Sequence, residues 1–132
     1  MTAKHGSLIT IEEIGAAHDR IRPYIDRTPL VSMADPMVIC KAESLQPVGS
    51  FKLRGAINTM LTFDADERRR GAVAHSSGNH AIAVAHAKTV LGVSVTVVMP
   101  SDAPAIKLRR VQEVGARAPT SSRPGTTTSH EV

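Results

Sequence analysis

"GAVAHSSGNHAIAVAHAKTVLGVSVTVVMP", residues 71–100, decides the fold class. Its opening, "GAVAHS" (71–76), is a short apolar run of the length and character of a small buried strand. "SGN" then turns the chain into an alanine-rich stretch, about residues 79–91, that is long enough for a helix and too long for a strand. "VSVTVVM" (93–99) is the clearest strand, rich in β-branched residues and stopped by Pro100. Ser101 or Asp102 is placed to cap a further helix, with Pro104 in its first turn and Gly115 at its C-terminal end. This β-α-β-α order, with connections long enough for parallel crossovers, predicts an α/β fold: an open parallel sheet with helices on both faces. Ligands of such sheets bind beyond the carboxyl ends of the strands. The loop "HSSGNH" (75–80) occupies one of those ends.

Upstream, "TIEEIGAAHDRIRP" (10–23) reads as a first helix. Thr10 and Glu13 have capping-box spacing, Ile11, Ile14, Ala17 and Ile21 recur on one face, and Pro23 ends it. "RTPLVSMADP" (27–36) reads as a turn-rich connection and "MVICKAE" (37–43) as a short β-rich run, which would make Cys40 a buried small hydrophobe. Ser50 is placed to cap a second helix carrying Leu53, Ile57, Met60 and Leu61 on one face.

That second helix starts at an unusual residue. Lys52 falls in its first turn, where the helix dipole opposes a positive charge. Packing beside Phe51 and proximity to Arg54 would add desolvation and like-charge repulsion, both of which favour an amine over an ammonium. An amine tuned in this way is a Schiff-base nucleophile. Further along the chain, Ser76, Ser77, Gly78, Asn79 and His80 place two hydroxyls, a flexible glycine and an amide before a helix N-terminus, which suits a carboxylate or another anion. The plainer reading of the same loop is a conventional N-cap made by Ser77 or Asn79.

Composition removes several other classes. The 132 residues make one ordinary domain, and 42% hydrophobic content with only 2% aromatic predicts an aliphatic core with little surface for stacking bases. The net charge of +4 gathers at Arg68-Arg69-Arg70 and Lys107-Arg109-Arg110, which read as solvated helix surface, so no nucleic-acid partner is expected. One cysteine excludes an internal disulfide. There is no apolar run of spanning or signal-peptide type, so no membrane partner and a cytoplasmic location are expected. Ser77 is not a hydrolase elbow, because G-x-S-x-G requires glycine where the chain has His75. His75, His80 and His86 lack zinc-protease spacing and an acidic companion, so no metal site is expected.

Together, "KAESLQPVGSFKLRGAIN" (41–58) and "AVAHSSGNHAIAVA" (72–85) resemble the pyridoxal-phosphate-dependent threonine/serine dehydratases and serine racemases, of the tryptophan-synthase-β-like fold type. "DRTPL" (26–30) and "MPSDAPAIKLRRVQEVGA" (99–116) are similar to the segments the family carries around those motifs. The resemblance implies pyridoxal 5'-phosphate as cofactor and a small hydroxy amino acid as substrate. It implies that Lys52 holds the cofactor as a Schiff base and later moves the substrate α-proton. Phe51 would lie beside the pyridine ring and Asn79 would hydrogen-bond the cofactor's 3-hydroxyl. Ser76, Ser77, Gly78, Asn79 and His80 would grip the substrate carboxylate, and Ser77 matches the opposite-face acid/base of the racemases. The implied outcomes are deamination of L-threonine or L-serine to a 2-oxo acid, or racemisation of serine.

Two departures accompany the resemblance. Ile82 stands where the family usually has glutamine. After Ala116, "ARAPTSSRPGTTTSHEV" (116–132) is Ser/Thr/Pro-rich and aperiodic, and nothing in it reads as a further strand. The family continues with a second domain bearing a glycine-rich cup for the cofactor phosphate. The nine glycines here, at 6, 15, 49, 55, 71, 78, 92, 115 and 125, include no adjacent pair. The expected organisation is a catalytic region over 1–117, the truncated N-terminal part of a two-domain fold, and a disordered tail over 118–132. An incomplete enzyme of this kind would associate with itself or with a full-length relative. The alternative is a non-catalytic remnant that serves, if at all, as an interaction module.

Overall fold

The computed structural model describes residues 8–35 and 37–121. Helix α1 (Ile11–Ile21) opens on the expected capping box: the Glu13 amide donates to Thr10 Oγ1 at 3.2 Å and the Thr10 amide donates to Glu13 Oε2 at 2.8 Å. Pro23 converts its end into a 3-10 turn, Arg22–Tyr24. Of the four apolar residues expected on one face of α1, only Ile21 is buried, while Ile11 and Ile14 are exposed.

The stretch read as a connection contains a strand. Leu30–Ser32 (β1) pairs antiparallel with Ile39–Lys41 (β2) in a two-stranded ribbon, with Val31 opposite Cys40. All six strand residues are exposed, so Cys40 is a surface residue rather than a buried one. A 3-10 turn, Glu43–Leu45, follows.

Helix α2 (Lys52–Leu61) begins at Lys52 as read, but Ser50 is not its cap. The N-cap is Phe51, already in helical conformation, and no side chain hydrogen-bonds the first turn. Leu53, Ala56, Ile57 and Met60 form its buried face. Leu53 and Ile57 are wholly inaccessible, worth roughly 1.5–3 kcal/mol each by transfer. A short helix absent from the sequence reading, α3 (Ala65–Arg70), follows, with a capping box between Asp64 and Glu67 and the three arginines in its last turn.

The expected parallel sheet is present. Strand β3 (Ala72–His75) pairs parallel with β4 (Val95–Pro100), from Ala72 opposite Val95 to His75 opposite Val98. Helix α4 (Asn79–Leu91) joins them, and α5 (Ala105–Glu113) follows β4. The cap of α5 differs from expectation: Pro104 is its N-cap and neither Ser101 nor Asp102 caps it. Gly71 at φ +79° leads into β3, where a Cβ would lie 2.5 Å from the Ser94 carbonyl oxygen, so that only glycine fits the turn.

The sheet also continues past the boundary expected at residue 117. Thr120–Ser121 forms a strand, β5, parallel to the end of β4, with the Met99 amide donating to the Pro119 carbonyl at 3.0 Å and the Val97 amide to Arg117 at 2.7 Å. Thr120 and Ser121 are therefore strand rather than disordered tail, and residues 122–132 of that tail lie outside the described residues. Backbone pairing with β4 secures this strand without the apolar side chains whose absence argued against it.

The core surrounds α4. Ala81, Ile82, Ala83, Val84, Ala85 and Ala87 are buried nearly all round the helix, because β3 and β4 lie on one side of it and α2 and α5 on others. Ile82 is 4% exposed and part of the apolar core, which makes the departure from glutamine a packing change. Val73 on the far face of β3 is 73% exposed, so no helix of the described residues covers it.

Candidate active site

The residues singled out from sequence lie at the starts of α2 and α4, two helices that pack on each other. Strand β3 ends at His75, and the Ser76 amide extends its ladder by donating to the Val98 carbonyl at 3.1 Å. Ser76 Oγ turns back to accept from the Gly78 amide at 3.2 Å, shaping the loop that leads into α4. Gly78 is the N-cap of α4, and no side chain hydrogen-bonds that terminus. The conventional cap by Ser77 or Asn79 is thus not made, and the first-turn N–H groups are not taken up by a capping side chain. Ser76, Ser77 and Gly78 are half-buried, whereas Asn79 and His80 are exposed.

Helix α2, which begins at Lys52, packs along α4. His80, although exposed, titrates below the ordinary histidine value of 6.5, first because the surrounding chain partly desolvates its charged form and second because the positive charge of Lys52 acts on it. The imidazole is therefore neutral at physiological pH. Lys52 itself is half-buried, with Nζ 5.4 Å from the centroid of the Phe51 ring. Phe51 is 60% exposed and lies open to solvent rather than sealing Lys52 in.

The like charge expected from Arg54 is compensated. Arg54 Nε donates to Glu43 Oε2 at 2.8 Å and Nη2 to Oε1 at 2.7 Å, a bidentate ion pair that the sequence reading did not anticipate. Eleven residues separate the partners, so no helical or strand periodicity links them. The signal available in sequence was the unbalanced pair Lys52 and Arg54 in one first turn, which calls for an anion from elsewhere.

One further observation bears on what the site can bind. Ser50 Oγ, immediately before Phe51 and Lys52, is buried and has no hydrogen-bond partner among the described residues. Buried hydroxyls are nearly always partnered, so a polar group suits this place. An amine, a neighbouring aromatic ring, an unpartnered hydroxyl and an uncapped helix N-terminus together fit a flat, anionic, carbonyl-bearing cofactor with a carboxylate-bearing substrate. No three His, Cys, Asp or Glu side chains gather into a metal-binding group among the described residues.

The family model described as "Pyridoxal-phosphate dependent enzyme" matches residues 21–129, running beyond Ala116 where the sequence resemblance was drawn to a close. The chain belongs to this pyridoxal-phosphate-dependent family. Among its relatives, a serine racemase of Dictyostelium discoideum is 41% identical over 114 residues, 82% of this chain and 35% of that protein. An L-threonine ammonia-lyase of Thermotoga maritima is 38% identical over 116 residues, 83% of this chain and 29% of that protein. The structure of maize serine racemase superposes with a TM-score of 0.82 at 38% identity, over 92% of this chain and 38% of that one. The chain thus spans about a third of the length of the relatives it matches. The α/β fold and the family's cofactor, pyridoxal phosphate, follow from these likenesses.

Proposed function

We propose that this chain carries the lysine and carboxylate-binding half of a site that acts on small β-hydroxy amino acids, either deaminating L-threonine or L-serine or racemising serine. The observation that carries the reading is the pairing of two features: an α4 N-terminus without a side-chain cap, and Lys52 as the first residue of α2, the helix that packs along α4. The serine racemases and threonine ammonia-lyase among the relatives support the substrate class.

Lys52 would hold the cofactor through Nζ, with Phe51 beside its ring and Asn79 donating to its ring hydroxyl. When bound, pyridoxal phosphate serves as the electron sink that makes the substrate α-proton removable. The amides at the start of α4, with the Ser76 and Ser77 hydroxyls, would hold the substrate carboxylate, which fixes the Cα–H bond relative to Lys52. Neutral His80 can accept or donate a hydrogen bond there without adding a second cation beside Lys52. Lys52 would take the α-proton on one face, and the Ser77 hydroxyl would exchange a proton on the other. Return of a proton from the Ser77 side inverts the centre. Loss of the β-hydroxyl as water instead gives an enamine, whose imine form takes up water to yield a 2-oxo acid and ammonia.

The discriminating experiment follows D-serine, 2-oxo acid and ammonia from L-serine and L-threonine with the full chain and added pyridoxal phosphate. Lys52→Ala is expected to abolish both outcomes, and Ser77→Ala to lower racemisation about 100-fold while sparing elimination more. Turnover that survives Lys52→Ala, or no product from either amino acid at saturating cofactor, would overturn the reading.

A further inference from the structure

The start of α2 presents an electrostatic problem that its own residues do not solve. Its first turn carries Lys52 and Arg54 and no acid, and no side chain caps it. Uncapped first turns fray, and cations there are opposed by the helix dipole. Lys52 is the first residue of this turn, so fraying would move it directly.

Glu43 supplies what is missing from outside the helix. Its carboxylate grips Arg54 through two parallel hydrogen bonds, to Nε at 2.8 Å and to Nη2 at 2.7 Å. The carboxylate is itself held: Thr28 Oγ1 donates to Oε1 at 2.6 Å, and Lys41 Nζ stands 3.6 Å from the same oxygen. Lys41 in turn donates to Thr28 Oγ1 at 2.7 Å and to the Thr28 carbonyl at 2.9 Å. Thr28 is 5% exposed and Glu43 only partly exposed, so the carboxylate and its hydroxyl partner are shielded from competing water, while Lys41 stays open to solvent. Arg54 holds the Glu43 carboxyl well below the ordinary range, at about 2, so it is charged at every physiological pH.

We propose that Glu43 is a positioning residue for Lys52: by pinning Arg54 it fixes the rotation and seating of the turn from which Lys52 projects. The inference rests on the reading of Lys52 as the cofactor lysine. It deepens that reading by assigning the placement of the amine to a side chain that does not touch the cofactor. The second point of attachment is the β1–β2 ribbon, because Thr28 precedes β1 and Lys41 ends β2. The cluster therefore ties the ribbon's base to the helix that bears the lysine.

The test measures the rate at which pyridoxal phosphate, trapped by borohydride, labels each of the lysines at 4, 41, 52, 88 and 107 in the full chain. In the wild type Lys52 is expected to react fastest. Glu43→Gln is expected to slow Lys52 roughly tenfold relative to Lys107, at temperatures where circular dichroism reports a folded chain. Arg54→Lys keeps the charge but loses the fork, so it is expected to slow Lys52 likewise, and it is the variant to read if Glu43→Gln fails to fold. A lowered melting temperature with an unchanged Lys52-to-Lys107 ratio in the folded variants would make the cluster merely structural and overturn the inference. A wild type without preference for Lys52 would instead remove the functional reading, and this inference with it.

Discussion

At the scale of single residues, two titrating side chains give the protein a defined acid limb. Glu43 has a native value of about 2 against an ordinary value of 4.5, because Arg54 and Thr28 hydrogen-bond its charged form. A depressed carboxyl stabilises the fold above the unfolded value, and this stability is lost as pH falls from 4.5 towards 2. With Glu43 mostly shielded, its share is about 2 kcal/mol after allowance for solvent. Urea unfolding followed from pH 7 to pH 2 should show this loss in the wild type and a flatter limb in Glu43→Gln. His80 acts in the same direction at higher pH. Its native value lies below 6.5, so the unfolded chain takes up a proton first and stability declines as pH drops through 6.5. Substituting His80→Gln should remove that upper inflexion and leave the Glu43 limb in place.

At the scale of elements, the packing of α4 and the turn into β3 are the points most sensitive to change. Ile82→Gln would bury an amide within the apolar core around α4, at a cost of about 2 kcal/mol in chemical unfolding. Gly71→Ala should cost a similar amount, about 2 kcal/mol, because φ is +79° and the new Cβ would meet the Ser94 carbonyl. These are also the elements that the sequence declares most openly. The alanine-rich run of α4 and the valines of β4 have lengths and compositions that admit one assignment, and Lys52 opens α2 as its position suggested. Apart from the short α3, which its own capping box holds, the elements missed in the sequence are held by long-range pairing instead. The three residues of β1 sit beside a proline and form a strand only because β2 comes back to meet them. The Ser/Thr-rich β5 carries little apolar surface and is a strand because β4 offers it a hydrogen-bonding edge. Within the site, the loop and the lysine were legible as motifs. The Glu43 clamp was not, since it joins residues that no local periodicity relates.

At the scale of the whole molecule, the polar site contrasts with the apolar surface left around it. Leu30, Val31, Ile39 and Val73 are all exposed large hydrophobics, three of them on a ribbon whose six strand residues have no buried face. Exposed large apolar side chains of this kind favour association. Ile39→Thr combined with Val31→Thr should reduce concentration-dependent association in sedimentation velocity, with a stability change within about 0.5 kcal/mol because neither side chain is buried. The central claim concerns Lys52, the first residue of α2, the helix that packs along α4. The most direct measurement adds pyridoxal phosphate to the purified chain, reduces with borohydride and maps the modified lysine by mass spectrometry. The account predicts a single pyridoxyl group confined to Lys52. Labelling spread over Lys41, Lys88 and Lys107 as readily as Lys52, or none at all, would contradict it.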